Sequence, residues 1–193
     1  MTNSFVDEIE TIISQSTDVI TKTLGLANLI DECAAKIITS LKNDGKVILF
    51  GNGGSAADAQ HMAAELIGRF KIERSSIPAF SLTTDSSIIT SIGNDYDFEN
   101  IFSRQIESLG GEHDIVIAIS TSGNSKNVIN GVKSAKEKGI FVIGLSGKST
   151  SKLKEISDIT INAPSDDTAR IQESHRVIIH CLCDIVEKSI VKS

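Results

Sequence analysis

The chain has 193 residues, 40% of them hydrophobic and 23% charged, and a formal net charge of −6 at pH 7. This length and composition predict one globular domain with a sizeable core. The negative net charge excludes a nonspecific nucleic-acid-binding protein, which needs a basic surface. A bound anion therefore has to be held by local dipoles and hydroxyl groups.

The N-terminal residues and the cysteines indicate a compartment. Residues 1–10 are acidic and lack the apolar core of a signal peptide, and no segment approaches the roughly eighteen apolar residues of a membrane span. Cys33, Cys181 and Cys183 cannot all pair, and the last two would point to different sides of a helix. We therefore expect reduced core cysteines, no membrane association and a cytoplasmic protein.

Two amphipathic helices are predicted at the start of the chain, over 4–25 and 28–43, because apolar residues recur there at helical spacing. A helical pair ahead of the first strand has little sheet left to cover in a small domain. Its apolar stripe is expected either to pack on another subunit or to form a self-contained helical layer. We therefore divide the single domain into a helical extension used in oligomerisation, 1–44, and an α/β core, 45–193.

A glycine-rich turn follows the first predicted strand. The apolar run at 47–50 leads into Gly51-Asn-Gly-Gly-Ser55 and then into a helix, an arrangement that forms an anion cradle. The glycines can take positive φ and let N–H groups converge, while Ser55 is placed as helix N-cap and hydroxyl donor. The turn predicts a phosphate site, although its spacing also fits a dinucleotide fingerprint. A Walker loop is excluded because no GlyLysSer or GlyLysThr follows.

Strands and helices alternate through the rest of the chain. The further strands are predicted over 80–82, 114–119, 140–145 and 158–162. The further helices are predicted over 86–92 and 98–109, separated by Gly93-Asn-Asp95, then from Val128 to near Gly139 and over 168–191. This alternation is typical of an α/β three-layer sandwich with a parallel sheet. Five strands favour the flavodoxin-like order 2-1-3-4-5, whose switch point lies between the first and third strands.

The predicted strand order brings two polar loops to one crevice. Gly51–Ser55 follows the first strand and Ser120–Ser125 follows the third, and ligands of open α/β sheets bind at the carboxyl ends of such strands. A loop rich in serine and threonine suits a phosphate monoester better than a dinucleotide. The nearest acidic partner for a ribose, Asp85, lies about thirty residues beyond the first loop, against an expected spacing of about twenty.

Two helices carry polar residues at spacings that suit chemistry. His61 and Glu65 share a helix face, and Gln172, Arg176 and His180 share a broad face of an otherwise apolar helix, where polar groups need partners. A carboxylate and an imidazole beside a sugar phosphate suggest proton transfer next to a carbonyl. The same residue types are acceptable zinc ligands, although Gln172 and His180 lie about 12 Å apart along the helix. Spacing alone leaves proton transfer, zinc binding and a solvated helix face open.

Three nearby polar residues are interpreted as structural. We expect His175 to be a satisfied surface or interface histidine and His113 to be a loop residue. Glu173 is expected to cap a helix or to form an ion pair.

Four segments of the chain have a joint pattern: Gly51–Phe70, Gly93–Asp95, Ser120–Ser125 and Thr168–Glu173. Together they resemble the phosphoheptose isomerases, members of the sugar isomerase (SIS) domain group, and the resemblance covers essentially the whole chain. It implies interconversion of sedoheptulose 7-phosphate and D-glycero-D-manno-heptose 7-phosphate, toward heptose in lipopolysaccharide or another surface polysaccharide. It also implies a homotetramer with active sites at subunit interfaces and one zinc ion per subunit.

The resemblance also implies roles for single residues. The metal ligands fall on His61, Glu65, Gln172 and His180. The positions that contact the substrate fall on Asn52, Gly53, Gly54, Ser55, Glu65, Asn94, Asp95, Ser120, Thr121, Ser122, Ser125 and Gln172. Some members of that family carry an aspartate where this chain has Ala169, so the resemblance implies no role for a carboxylate at this position.

The implied reaction is an aldose–ketose isomerisation through an enediol. Glu65 moves a proton between C1 and C2, His180 serves the oxygens as an acid, and zinc polarises the carbonyl. One alternative is an isomerase for another sugar phosphate. Another is a non-catalytic regulator similar to the DnaA initiator-associating protein, which looks to have lost the positions corresponding to Glu65 and His180.

Overall fold

A five-stranded parallel sheet forms the centre of the computed structural model, which describes residues 4–191. Its strands are β1 Val47–Gly51, β2 Ala79–Ser81, β3 Ile115–Ile119, β4 Phe141–Ser146 and β5 Ile159–Asn162. They pair in the order β2-β1-β3-β4-β5, and every neighbouring pair is parallel. The predicted strand order, with its switch point between β1 and β3, is confirmed.

Eight helices flank the sheet within the described residues. They are α1 Val6–Thr23, α2 Ala27–Lys42, α3 Gly54–Ile67, α4 Ser86–Asp95, α5 Ser103–Leu109, α6 Lys126–Glu137, α7 Lys152–Ile156 and α8 Thr168–Val191. Short 3-10 turns at Leu24–Leu26 and Phe98–Asn100 complete the regular structure. The first three residues of the acidic N-terminal segment, and residues 192–193, lie outside the part that the structure describes.

The central strands β1 and β3 are buried on both faces, as expected for near-continuous apolar runs in a parallel sheet. Leu49 and Ile117, paired across β1 and β3, join a core cluster with side chains of α2, α3 and α8. Their neighbours Ile48 and Val116 point to the opposite face and join a second cluster with α5 and α6. The molecule is therefore the three-layer sandwich that the alternation predicted.

The chain departs from the sequence prediction around residue 93. Gly93-Asn-Asp95 does not separate two helices but forms the last turn of α4, which Asp85 caps by accepting from the N–H of Ile88. The next predicted helix, 98–109, is split into the 3-10 turn and α5. The five-residue α7 was not predicted, because it is too short to carry a periodic pattern; Ser151 caps it.

The two N-terminal helices differ in burial. α2 buries Cys33, Ala34 and Ile37 in the core. α1 buries only Val19 and Thr23 and leaves a row of apolar side chains 38–65% exposed: Phe5 ahead of its first turn, then Val6, Ile9, Ile12, Ile13 and Ile20. The apolar stripe predicted for α1 is therefore present and uncovered within one subunit.

The cysteines are free, as predicted; Cys33 and Cys183 are buried and Cys181 is half-buried. None of the helices in residues 4–191 is both long and apolar enough to cross a membrane.

Candidate active site

The glycine-rich loop after β1 uses its glycines in two different ways. Gly53 has a φ of 56°, in the left-handed region that glycine tolerates. Gly51 and Gly54 have no positive φ, so that prediction is wrong for two of the three glycines. They are needed for space instead, since a Cβ on Gly51 would lie 2.7 Å from the carbonyl oxygen of Ile119, and one on Gly54 would collide with the amide of Gln172.

Ser55 does not cap α3, which corrects the prediction from sequence. The left-handed turn at Gly53 starts the helix two residues earlier, so Gly53 occupies the N-cap position, with no side-chain cap, and Ser55 lies in the first turn. Ser55 is only 3% exposed. No side chain of the loop caps this helix end, and the N–H groups of Ser55, Ala56 and Ala57 donate to the backbone carbonyls of Asn52 and Gly53. The positive end of the helix dipole still faces the loop, which favours an anion there.

Three hydroxyl groups converge in the loop after β3. Ser120 Oγ lies 3.1 Å from Ser125 Oγ and 3.5 Å from Ser122 Oγ, and it also accepts from the N–H of Gly123. Ser125 is the N-cap residue of α6 but makes no side-chain cap bond, so its hydroxyl belongs to this cluster. Hydroxyl donors at a helix N-terminus suit a phosphate group.

The two loops are joined by a pair of side-chain amides. Asn52 Nδ2 donates to Asn127 Oδ1, and Asn127 Nδ2 donates to Asn52 Oδ1, both at 2.8 Å. The side-chain oxygen and one N–H of Asn52 are thus hydrogen-bonded to Asn127, which leaves one N–H for a substrate. Asn127 was missed from sequence, because only the fold brings α6 to the first loop.

Helices α3 and α8 contact each other through a row of polar side chains, which recur every four residues on α8. Gln172 packs against Gly54. One turn further, Arg176 forms an ion pair with the buried Asp58 at 2.7 Å. The row ends where His180 Nε2 lies 2.9 Å from His61 Nε2. The predicted polar face of α8 therefore finds its partners on α3, and Asp58, which the sequence reasoning overlooked, is one of them.

Glu65 lies beside the His61 imidazole, with Oε1 3.6 Å from His61 Nε2. His61 and Glu65 are 31% and 24% exposed, so both can be reached from solvent. The solvated-face interpretation of this pair is therefore wrong, because the face is turned toward α8.

The charges around this cluster favour a neutral imidazole. Desolvation, reinforced by the nearby Arg176 guanidinium, lowers the pKa of His61, while Glu65 opposes the shift. Burial raises the pKa of Asp58, against the opposing influence of Arg176 and His180. Neutral imidazole is the form that ligates a metal or accepts a proton.

The residue types at this cluster fit zinc, although the side chains do not form a closed site. Two imidazoles and a carboxylate converge, which is a donor set that zinc accepts. In the described part of the chain, no group of three or more His, Cys, Asp or Glu has the spacing of a metal site. Gln172 lies two turns from His180 at the other end of the row, beside Gly54. Zinc binding would require side-chain movements of His61 and His180.

An open cavity of about 570 Å³ runs along the same row, lined by Gly54, Asp58, Gln172, Glu173 and Arg176 among others. Ala169 also lies on its wall. A second cavity of about 240 Å³ borders the other loop at Thr121 and Ser122. There is therefore open volume beside both loops.

Two predicted substrate contacts lie elsewhere. Asn94 and Asp95 are exposed at the end of α4, and Asn94 Nδ2 donates to Asp95 Oδ1 at 2.8 Å. Their substrate role stays a prediction.

The three residues interpreted as structural have mixed outcomes. Glu173 pairs with Arg170, and His113 is an exposed loop residue, as predicted. His175 is fully buried, so its assignment as a surface histidine is wrong; its Nε2–H donates to the carbonyl of Ser146, while Nδ1 has no partner. Burial lowers its pKa to about 4.

A buried ion pair holds the segment that follows α3. Glu187 accepts from the backbone N–H groups of Phe70, Lys71 and Ile72 and from Arg74 Nε. Burial raises the pKa of Glu187, but these donors outweigh it and hold the pKa below its usual value. The clamp sets the Phe70 ring against His180, with centroids 5.6 Å apart. The sequence spacing gave no indication of this clamp, since Glu187 and the residues that donate to it are more than a hundred residues apart.

Comparisons with known proteins agree with this geometry. A family model described as SIS domain matches residues 5–147. A phosphoheptose isomerase from Sulfurimonas denitrificans is 53% identical over 165 residues, which cover 86% of this chain and 85% of that protein. The structure of a phosphoheptose isomerase from Neisseria gonorrhoeae is 40% identical with a TM-score of 0.91, covering 96% of this chain and all of that one. One from Francisella tularensis is 38% identical with a TM-score of 0.93 and the same coverage.

Proposed function

The chain belongs to the phosphoheptose isomerase family of SIS-domain proteins, and from this we propose how its residues carry the reaction. It is an aldose–ketose isomerase that converts D-sedoheptulose 7-phosphate to D-glycero-D-manno-heptose 7-phosphate for heptose biosynthesis. The observation that carries the assignment of residues is the contact of His61 with both Glu65 and His180, on the helix that begins at the glycine-rich loop and on α8.

The 7-phosphate binds between the two loops at the switch point. Ser120, Ser122 and Ser125 offer hydroxyl groups, and the helix that starts at Gly54 offers the positive end of its dipole. Thr121, Asn52, Gly53 and Ser55 belong to the same two loops. Holding the phosphate fixes the far end of the sugar, so that C1 and C2 reach the α3–α8 contact row.

Glu65 is the base that moves the proton between C1 and C2. It is half-buried and lies next to an imidazole, an environment that suits a general base. His180 gives and takes the proton on the substrate oxygens as the enediol forms and collapses. His61 holds the His180 ring through the 2.9 Å contact between their Nε2 atoms.

The zinc ion belongs to the proposal as well, at one per subunit. His61, Glu65 and His180 would hold it, together with Gln172 as a weaker oxygen ligand. When bound, zinc would polarise the substrate carbonyl and favour loss of the neighbouring proton. Glu65 and His180 are also the proposed proton carriers. A side chain that ligates zinc is less free to accept or donate a proton.

The active unit is a homotetramer with its sites at subunit interfaces. The uncovered apolar row of α1 supports this, because contiguous exposed apolar surface marks an interaction site. The three free cysteines suit a reducing compartment, so the cytoplasm is the proposed location. The product is proposed to enter lipopolysaccharide or another surface polysaccharide.

Proton NMR in D₂O tests the reaction directly. The purified chain is incubated with sedoheptulose 7-phosphate, with and without added zinc and with a chelator. New aldose anomeric signals with deuterium at C2 are expected, and the chelator arm reports the need for zinc. Absence of conversion and exchange under every metal condition would point to another sugar phosphate or to a regulator that binds without turnover.

A further inference from the structure

We infer that Asn127 is a positioning residue of the sugar-phosphate site, which sets the first loop through the side chain of Asn52. The inference rests on the proposed function, because it concerns the same two loops. Asn127 lies in the first turn of α6, directly after the hydroxyl loop Ser120–Ser125, and is 3% exposed. It is therefore too deeply buried to bind a sugar phosphate itself.

The contact between Asn127 and Asn52 is reciprocal. Each amide donates one N–H to the oxygen of the other at 2.8 Å, so each side chain holds the other in a single orientation. A flipped amide at either residue would place two donors or two acceptors face to face. The pair therefore fixes which atoms of Asn52 face the cavity.

Asn127 is itself anchored in two ways. Its Oδ1 also accepts from the N–H of Val128 at 2.9 Å, which satisfies one of the free donors at the start of α6. Its burial removes competing water. Asn52, by contrast, lies in a turn in which its own carbonyl oxygen accepts from the N–H of Ser55 at 3.0 Å. A rigid helix residue thus holds a residue of a glycine-rich loop.

The consequence is a fixed distance between the two halves of the phosphate site. The sheet sets the ends of β1 and β3, where Gly51 pairs with Ile119, but the loop beyond Gly51 turns through the left-handed Gly53. Without the amide pair, that glycine-rich turn has more conformations open to it, and substrate binding has to select the productive one. Losing Asn127 should therefore weaken phosphate binding more than it slows the chemical step.

The test compares Asn127→Leu with a matched control on the same helix, Asn130→Leu. Asn130 lies one turn further along α6 and donates to the carbonyl of Glu99, away from both loops. For Asn127→Leu we expect the KM for sedoheptulose 7-phosphate to rise about tenfold, with kcat within about threefold of the parent, from the loss of buried hydrogen bonds. Asn130→Leu should leave both constants within about twofold of the parent. A folded Asn127→Leu protein with unchanged KM would overturn the inference.

A double variant distinguishes positioning through Asn52 from general damage. When Asn52→Leu is already present, adding Asn127→Leu should raise KM by less than about twofold, because the residue it positions is gone. Equal effects of Asn127→Leu in the two backgrounds would contradict the inference.

A second variant covers the case in which leucine prevents folding. Asn127→Asp keeps the shape and both acceptor roles but cannot donate to Asn52 Oδ1. Its KM should also rise, and by more than that of Asn130→Asp, which places the same charge on the same helix. Equal KM values for the two aspartate variants would count against a positioning role.

Inorganic phosphate separates this inference from the proposed reaction. Calorimetric titration of phosphate into the parent and the leucine variants needs no turnover. Weaker phosphate binding in Asn127→Leu alone supports the inference even if the parent converts no heptose phosphate. If the parent isomerises the sugar and binds phosphate no better than Asn127→Leu, the reaction stands and the inference fails.

Discussion

The Nε2 atoms of His61 and His180 lie 2.9 Å apart, and this contact joins α3 to α8. In a pair of neutral imidazoles, one of these nitrogens donates and the other accepts, so the two rings carry different tautomers. A metal ion between them would replace that hydrogen bond by two lone pairs directed at the ion.

Zinc binding is expected to depend on this pair. The purified chain should hold about one zinc per subunit after dialysis, as measured by atomic emission, and His61→Asn should lose most of it because one of the proposed ligands is gone. The control is His113→Asn, which changes an exposed loop histidine. Equal zinc content in the two variants would exclude His61 as a ligand, whatever the activities are.

The base assignment predicts that Glu65→Gln removes turnover while the protein still binds the sugar phosphate. We expect kcat to fall at least about a hundredfold, the usual contribution of a positioned general base. Glu73→Gln is the matched control, because Glu73 follows the same helix with its side chain 90% exposed. Deuterium incorporation at C2 is the measurement, with sugar-phosphate affinity measured separately. Near-normal exchange in Glu65→Gln would reject this base.

Stability is expected to fall in mild acid because of His175. Its pKa is about 4 in the folded chain against about 6.5 when unfolded, so the unfolded chain binds the extra proton between these values and stability rises with pH there. Acidification from pH 6.5 toward 4 should therefore cost about 3 kcal/mol from this group alone. Urea unfolding at several pH values measures it.

The control for this prediction keeps the hydrogen-bond donor but removes the titration. His175→Gln should have a shallower dependence of unfolding free energy on pH than the parent, whereas His113→Gln should follow the parent. Parallel curves for the parent and His175→Gln would mean that His175 is not the titrating group.

The Glu187–Arg74 pair is expected to be a large contributor to stability. Its side chains are 0% and 3% exposed, and Glu187→Ala would leave the buried Arg74 guanidinium without its counter-charge and three backbone N–H groups without their acceptor. The unfolding free energy should fall by about 3–5 kcal/mol. Glu155→Ala, which breaks the exposed pair with Lys152, should cost less than about 1 kcal/mol in the same urea assay. Similar losses in the two variants would contradict the assignment.

Assembly is expected to depend on the apolar row of α1. Ile13 is 59% exposed, and Ile13→Asp should reduce the tetramer to smaller species, because a charge would be buried at the interface. Thr11→Asp puts the same charge on the opposite side of α1 and should leave the tetramer intact. Light scattering after size exclusion measures the mass. A tetramer that survives Ile13→Asp would remove this face from the interface.

Strand order and loop positions were predictable because apolar runs and glycine-rich turns are local signals. The order 2-1-3-4-5 was predicted because five such parallel strands most often adopt it, and it correctly brought Gly51–Ser55 next to Ser120–Ser125. The pairing of Arg176 with Asp58 was harder, because the polar face of α8 indicated a need for partners without identifying them.

Other features lay beyond local pattern. The N-cap of α3 depended on a single left-handed φ at Gly53, and the last turn of α4 runs through Gly93, a residue that sequence reasoning interprets as a helix boundary. The burial of His175 and the Glu187 clamp depend on contacts across the whole chain, which spacing along a single helix does not report.

The α3–α8 contact row also has a consequence for biosynthesis. The ribosome produces β1, β3 and both phosphate loops before it produces α8, which supplies Gln172, Arg176 and His180. The two loops are therefore synthesised before the imidazole that meets His61. A chain that ends before α8 would have both loops but would lack all three of these side chains.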